Sequence, residues 1–209
     1  LAKSERSVAW VSLDDADNDF DRFLRYIVAA LNRARPGAGQ RLLNVLSTTT
    51  PVGVEAAATA FVNDLTSLDE QLVLVLDDYH CITARRIQDW VHLLLEHMPQ
   101  TAHVVIASRA DPPLPLSRLR ARAEMAEIRA ADLRFSRHDT EHFLTHTMGL
   151  QISRAQAALL ETRTEGWIAG LQLAALSLQG REDYSAFIDA FTGNDRFVVD
   201  YLVDEVLGV

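Results

Sequence analysis

Five apolar residues followed at once by two carboxylates, Leu72-Val73-Leu74-Val75-Leu76-Asp77-Asp78, constrain this chain more than any other stretch. A run this short, dense in Leu and Val and without polar alternation, predicts a strand buried on both faces, as in a parallel sheet. Open parallel sheets bind ligands at the carboxyl ends of their strands. Asp77 and Asp78 are therefore candidate functional groups, and Tyr79 and His80 begin the loop behind them.

At such a place one carboxylate can hold Mg²⁺, directly or through water, while a second orients or deprotonates a water near a nucleotide phosphate. That is the Walker B pattern. Its usual companion, the phosphate loop G-x-x-x-x-G-K-[ST], occurs nowhere in the sequence, and the only lysine, Lys3, has no glycine near it. The chain also opens on Leu1 and reaches its first strand candidate, Val8 to Leu13, almost at once. The expectation is an internal piece of a longer protein whose phosphate loop lies upstream.

Composition narrows the function classes. At 209 residues and 48% hydrophobic content the chain can bury a substantial core. Twenty basic against 29 acidic residues give a formal charge of −9, which repels a phosphate backbone and argues against a DNA-binding module. The single Cys81 rules out a disulfide framework within the chain, and no apolar run approaches a membrane span, so a cytoplasmic location without membrane contact is expected.

Strand and helix signals alternate up to about Arg134. Phe20, Phe23, Leu24, Ile27, Val28 and Leu31 recur at helical spacing behind the acidic run Asp14 to Asp19, which suits the positive end of that helix. Asp15, Asp17 and Asp19 alternate as in a calcium loop, but the glycine and glutamate that such a loop needs further on are missing. A helix over Glu55 to Leu68 precedes the buried strand, and Ile87, Trp90, Val91, Leu94 and Leu95 mark another behind it. Val104 to Ala107 reads as a strand ending in Ser108-Arg109, and Ala126 to Arg129 as a fourth. Alternation of this kind predicts an α/β fold with a mostly parallel sheet over residues 1–134. Residues 135–209 read as helices only, around 138–148, 154–162, 167–178, 184–191 and 197–206, with capping boxes at Ser136/Asp139 and Ser153/Gln156.

The order of Asp77-Asp78-Tyr79-His80, Ala107-Ser108-Arg109 and Gly166-Trp167-Ile168-Ala169-Gly170-Leu171-Gln172-Leu173-Ala174-Ala175 resembles the nucleotide-binding and helical domains of STAND-class P-loop ATPases. Within that class it resembles the large ATP-binding LuxR-type transcriptional regulators. Val8 to Asp14, Phe23 to Tyr26 and Tyr201 to Leu207 extend the likeness over essentially the whole chain. The resemblance implies a switch that is closed with ADP, opens with ATP and an inducer, hydrolyses ATP slowly, and self-associates through the ATPase region. DNA would be contacted through a carboxyl-terminal helix-turn-helix domain outside this chain. It also implies that Asp77 is the Mg²⁺-associated acid, Asp78 the acid beside the attacking water, and Arg109 the sensor of the terminal phosphate. Gly166, Trp167 and Ile168 take the place of a GxP motif that packs on the nucleotide, with Ile168 where the proline would be. It implies further that a strand belongs between the one ending in Arg109 and the one near Ile128, leaving a gap to be closed by rearrangement or by a partner chain.

Two other readings compete. A remodelling ATPase of the AAA+ kind shares Walker B and sensor residues, but the acidic surface and the Trp167–Leu178 segment favour the switch. A non-catalytic interaction module is what this chain would be without a phosphate loop. His80 and Cys81 stand among no convincing set of His and Cys partners at ligand spacing and read as structural. Trp167 reads more readily as a core anchor than as a ligand platform, and Arg118 to Arg122 as a solvated helix face. Lacking loop amides and their lysine, the chain alone should bind ATP weakly or not at all and show no ATPase activity; calorimetry showing micromolar affinity would overturn that expectation.

Overall fold

The run Leu72–Asp77 forms β2, the middle strand of a three-stranded parallel sheet ordered β1-β2-β3, with β1 at Ser7–Ser12 and β3 at Ala102–Ile106. Its central position is why it tolerates no polar residue before Asp77. The computed structural model describes residues 6–48, 51–68, 70–181 and 183–191. The chain divides into two units between Glu124 and Met125, upstream of the pattern change near Arg134.

In the first unit the register sets Ser12 opposite Asp77 and Leu76 opposite Ile106, so the three strands end nearly level. Alternation sends Ala9, Val11, Leu72, Leu74, Leu76 and Ala102 into one core with the inner faces of α1 (Phe20–Ala34), α2 (Gln40–Leu46), α3 (Val54–Thr66) and α4 (Arg85–His97). The apolar positions predicted for α1 are all buried. Trp90 is fully buried between Phe23 and Phe61, with ring centroids 5.7 and 5.3 Å away, and anchors the helical layer. On the opposite face of the sheet Val8, Trp10 and Val105 are exposed.

Helix α2 has no sequence signal, because its N-cap is Gly39, which offers no side chain. The cap is tertiary. Asp64 of α3, buried at 6% exposure, accepts from the backbone N–H of Arg41 at 3.1 Å and of Leu42 at 3.0 Å. The Arg41 guanidinium closes over the same carboxylate. A carboxylate at a helix start satisfies orphan donors and the positive end of the helix together.

The fourth strand expected at Ala126 to Arg129 does not form: these residues are irregular, and Ile128 is 75% exposed. Of the four residues only Ile128 is a strong strand former, Ala and Glu being depleted in strands, and among the described residues β3 pairs with β2 alone. Among the described residues no strand bounds the far side of the expected gap, and the outer side of β3 is an unpaired sheet edge. A further helix, α5 (Leu116–Ala121), follows the proline-rich loop after β3.

The second unit is helical: α6 (Ala130–Leu133), α7 (Arg137–His142) continuing into a π turn over Phe143–Thr147, α8 (Arg154–Thr164), α9 (Ile168–Leu178) and α10 (Tyr184–Ala190). Both predicted capping boxes are present. Leu144, Leu150, Leu160, Leu171, Leu178 and Ile188 belong to its separate core. The helix expected over 197–206 lies outside the described residues, as do Lys3 and Tyr201 to Leu207. Among the described residues no helix is long and apolar enough to cross a membrane. Replacing Asp64 by Ala should cost about 1–3 kcal/mol by stranding the buried Leu42 N–H, whereas Asp64→Asn, which keeps an acceptor, should cost less; urea unfolding of both variants measures the difference.

Candidate functional site

The carboxyl ends of the three strands converge because the main-chain ladder continues past them. The N–H of Leu13 donates to the carbonyl of Asp77 at 3.0 Å, that of Ala107 to Leu76 at 2.9 Å, and that of Tyr79 to Ala107 at 2.9 Å. These bonds hold the Asp77-Asp78 turn between the acidic loop after β1 and the Ser108-Arg109 turn after β3. Asp77 is half-buried at the end of its strand, and its Oδ1 accepts from the N–H of Asp78 at 3.1 Å. Asp78 takes the left-handed conformation, φ 54° and ψ 38°, and its side chain is half exposed. An Asp tolerates that region better than most residues, but the turn still carries local strain, which clusters at functional sites.

Arg109 is exposed just beyond β3. Its position is reported by a neighbour: burial, with the charges of Asp15, Asp78 and Asp14, pushes the Cys81 thiol up, while Arg109 pulls it down. The guanidinium therefore lies in electrostatic reach of the thiol that also senses acids from the ends of β1 and β2. A thiol pushed up is a poor nucleophile, which agrees with a structural Cys81. Next to it Tyr79 is buried, and burial pushes its phenol up to about 12. His80 Nδ1 is buried without a hydrogen-bond partner, 3.8 Å from Asp78 Oδ1.

Asn18 ties these loops together, a role that the sequence does not announce. Its Oδ1 accepts from the N–H groups of Thr83 at 2.7 Å and Ala84 at 2.8 Å, and its Nδ2 donates to the carbonyls of Cys81 at 2.8 Å and Asp15 at 3.1 Å. Ala84 is the N-cap of α4 and has no capping side chain, so the amide after β1 supplies the acceptor that this helix start lacks. Asp17 is buried and paired with Arg22 at 3.1 Å, and Asp19 caps α1. The acidic run is thus divided between capping and a buried ion pair. No calcium-loop geometry is needed to explain it.

Gly166, Trp167 and Ile168 belong to the second unit, so they do not share a unit with the strand-end residues. Gly166 has φ +71°, and a Cβ there would stand 2.4 Å from the carbonyl oxygen of Phe135, whose own N–H donates to the carbonyl of Gly166 at 2.8 Å. Arg134 pairs with Glu165 at 2.8 Å beside this contact. Only glycine fits, and the reason is internal packing. Trp167 is 36% exposed at the N-cap of α9, and Ile168 is the first residue of that helix. A proline is favoured at such a first position because its missing N–H costs nothing there. Isoleucine keeps the helix and forgoes the preset φ.

An acidic carboxyl edge on a parallel α/β sheet, with an arginine on the adjoining strand end, defines a unit consistent with a P-loop-NTPase-like region. Mg²⁺ suits such an edge, because it takes hard oxygen donors, needs only one or two carboxylates and keeps water for the rest. Among the described residues no group of three or more His, Cys, Asp or Glu could enclose a metal. No protein-family model matches the chain. It is 31% identical over 208 residues to the HTH-type transcriptional regulator MalT of Yersinia pestis (strain Pestoides F), covering 99% of this chain and 23% of that protein. It is 30% identical over 207 residues to the serine/threonine-protein kinase PknK of Mycobacterium tuberculosis (strain CDC 1551 / Oshkosh), covering 99% of this chain and 19% of that protein. Over essentially its whole length the chain thus has homologues in both, and it spans about a fifth of their length.

Asn18→Ala removes acceptors and donors from two loops at once, and thermal melts should show a loss of about 1–3 kcal/mol. A variant as stable as the parent would mean that water replaces the amide without cost.

Proposed function

We propose that this chain is the nucleotide-responsive switch region of a LuxR-type, MalT-like transcriptional regulator, of the STAND class of P-loop ATPases. The observation that carries the reading is that Asp77 and Asp78 stand at the carboxyl end of β2 and Arg109 just beyond the carboxyl end of the adjoining β3. Homology over the whole chain to a region of MalT supports it. The relation to a kinase supports it as well: a region shared by proteins with different outputs suits a switch that acts upstream of either.

In this reading Asp77 holds the Mg²⁺ that accompanies a nucleotide, and that ion neutralises phosphate charge. Asp78, carried outward by its left-handed turn, orients the attacking water and accepts its proton. Arg109 binds the terminal phosphate through charge-assisted hydrogen bonds and so distinguishes ATP from ADP. His80 flanks Asp78. The phosphate-loop amides come from elsewhere in the longer protein, as do the DNA-binding domain, the inducer site and the contacts for self-association. An interaction module without catalysis would use none of these side chains.

The test is made in the full-length protein. Asp77→Asn should weaken Mg²⁺-dependent nucleotide binding, while Asp78→Asn should retain binding and lose roughly 10²-fold or more in turnover. Arg109→Ala should weaken ATP binding by about 10–100-fold, the equivalent of a charge-assisted bond, and ADP binding by less. Unchanged binding and turnover in all three would reject the assignment.

A further inference from the structure

We infer that His142 and His146, on the last turn of α7 and its π continuation, form a two-imidazole site for a first-row transition-metal dication of the Zn²⁺ or Ni²⁺ kind. Both side chains are exposed, and their rings stack with centroids 4.4 Å apart and planes 11° from parallel. Imidazoles four residues apart on one helix face are a known donor spacing for such ions.

The hydrogen bonds beneath the pair set which nitrogen is available. The hydroxyl of Thr145 lies 2.7 Å from the carbonyl of Glu141 and 2.8 Å from Nδ1 of His146. A carbonyl only accepts, so the single hydroxyl proton goes to Glu141. Nδ1 of His146 must then carry a proton and donate it to the Thr145 oxygen. That tautomer leaves the lone pair on Nε2. A metal-bound histidine commonly has this arrangement, with its other ring N–H held by a protein oxygen. Here it is in place before any ion arrives.

Two nitrogens on one tetrahedral ion stand roughly 3.3 Å apart, given bonds of about 2.0–2.1 Å. In rings stacked at 4.4 Å the in-plane lone pairs run side by side, so binding requires the His142 ring to rotate about its own side-chain bonds toward His146, whose ring is held by Thr145. The site has two protein donors and leaves its remaining positions to water or to a ligand from outside the chain. This agrees with the absence, among the described residues, of any larger metal-holding cluster. Neutral imidazole favours Zn²⁺, Ni²⁺ or Cu²⁺ over Mg²⁺ and Ca²⁺, so the site would not compete for the ion that accompanies a nucleotide.

Isothermal titration of the whole chain with Zn²⁺ and with Ni²⁺ tests this, with Mg²⁺ as the comparison. The expected result is saturable binding of one transition-metal ion per chain, unaffected by Mg²⁺. His142→Ala and His146→Ala should each weaken it by tenfold or more, with circular dichroism confirming an unchanged fold. Thr145→Val, which removes the tautomer-setting oxygen but no donor, should weaken it by roughly 10–100-fold, and Thr145→Ser should restore it. Failure to bind either ion overturns the inference. So does binding that survives both histidine substitutions, or that depends on His138 and not on His146.

Discussion

Parallel main-chain pairing of β2 with both neighbours is the constraint on which the rest of the first unit depends. It buries Leu72, Leu74 and Leu76 under the helices and makes the three strands stop at nearly the same level. The ladder then runs one step further on each side, through Leu13 to Asp77 and through Tyr79 to Ala107. Three loops that are far apart in sequence thereby start from one line. The carboxylate pair thus ends the middle strand, and the guanidinium follows the end of its neighbour.

Helix starts in this unit are served from elsewhere in the fold. Neither Gly39 nor Ala84 supplies a capping side chain of its own, yet Asp64 and Asn18 bring acceptors to the first N–H groups of α2 and α4. Each of these bonds couples local helix formation to long-range packing. The Asn18 bonds matter most for the candidate site, because they link the loop after β1 to the loop that carries Asp78, His80 and Cys81. The turn at Asp78 is held in its left-handed form from both sides: by the bond of Tyr79 to Ala107 and by the anchored segment Cys81–Ala84.

In the second unit the same economy appears as close backbone approach. Gly166 lies against Phe135 so tightly that the segment from Arg134 to Ser136 and the loop before α9 form one clasp, closed by Arg134 and Glu165. The resemblance gives Gly166 a place in a nucleotide-facing motif. The contact gives it a structural reason that holds whether or not a nucleotide is near. On α7 the stack of His142 on His146 arises from spacing on one helix face, and its chemistry from the hydroxyl of Thr145 beneath it.

Much of the fold is legible in the residues alone, because periodicity records burial. The alternation and the apolar run place β1, β2 and β3, the helical spacing places α1, α3 and α4, and the two serine caps place α7 and α8. The strand-end acids and Arg109 are legible for the same reason, since a buried strand must end where polar side chains begin. Other features belong to the tertiary structure. The fourth strand was an error of local composition: Ile128 alone of its segment favours a strand, and it stays exposed while the outer edge of β3 is left unpaired among the described residues. Helix α2 and the role of Asn18 left no pattern, because their partners lie on other elements. For His142 and His146 the spacing stands in the sequence, but which ring nitrogen bears the proton follows only from where Thr145 and the Glu141 carbonyl sit. The sequence by itself determined which residues are apolar and at what period, and therefore which segments are buried strands and helices. Which polar groups meet was decided only when the sheet brought distant loops together, because a hydrogen bond depends on a few ångströms of separation that no periodicity encodes.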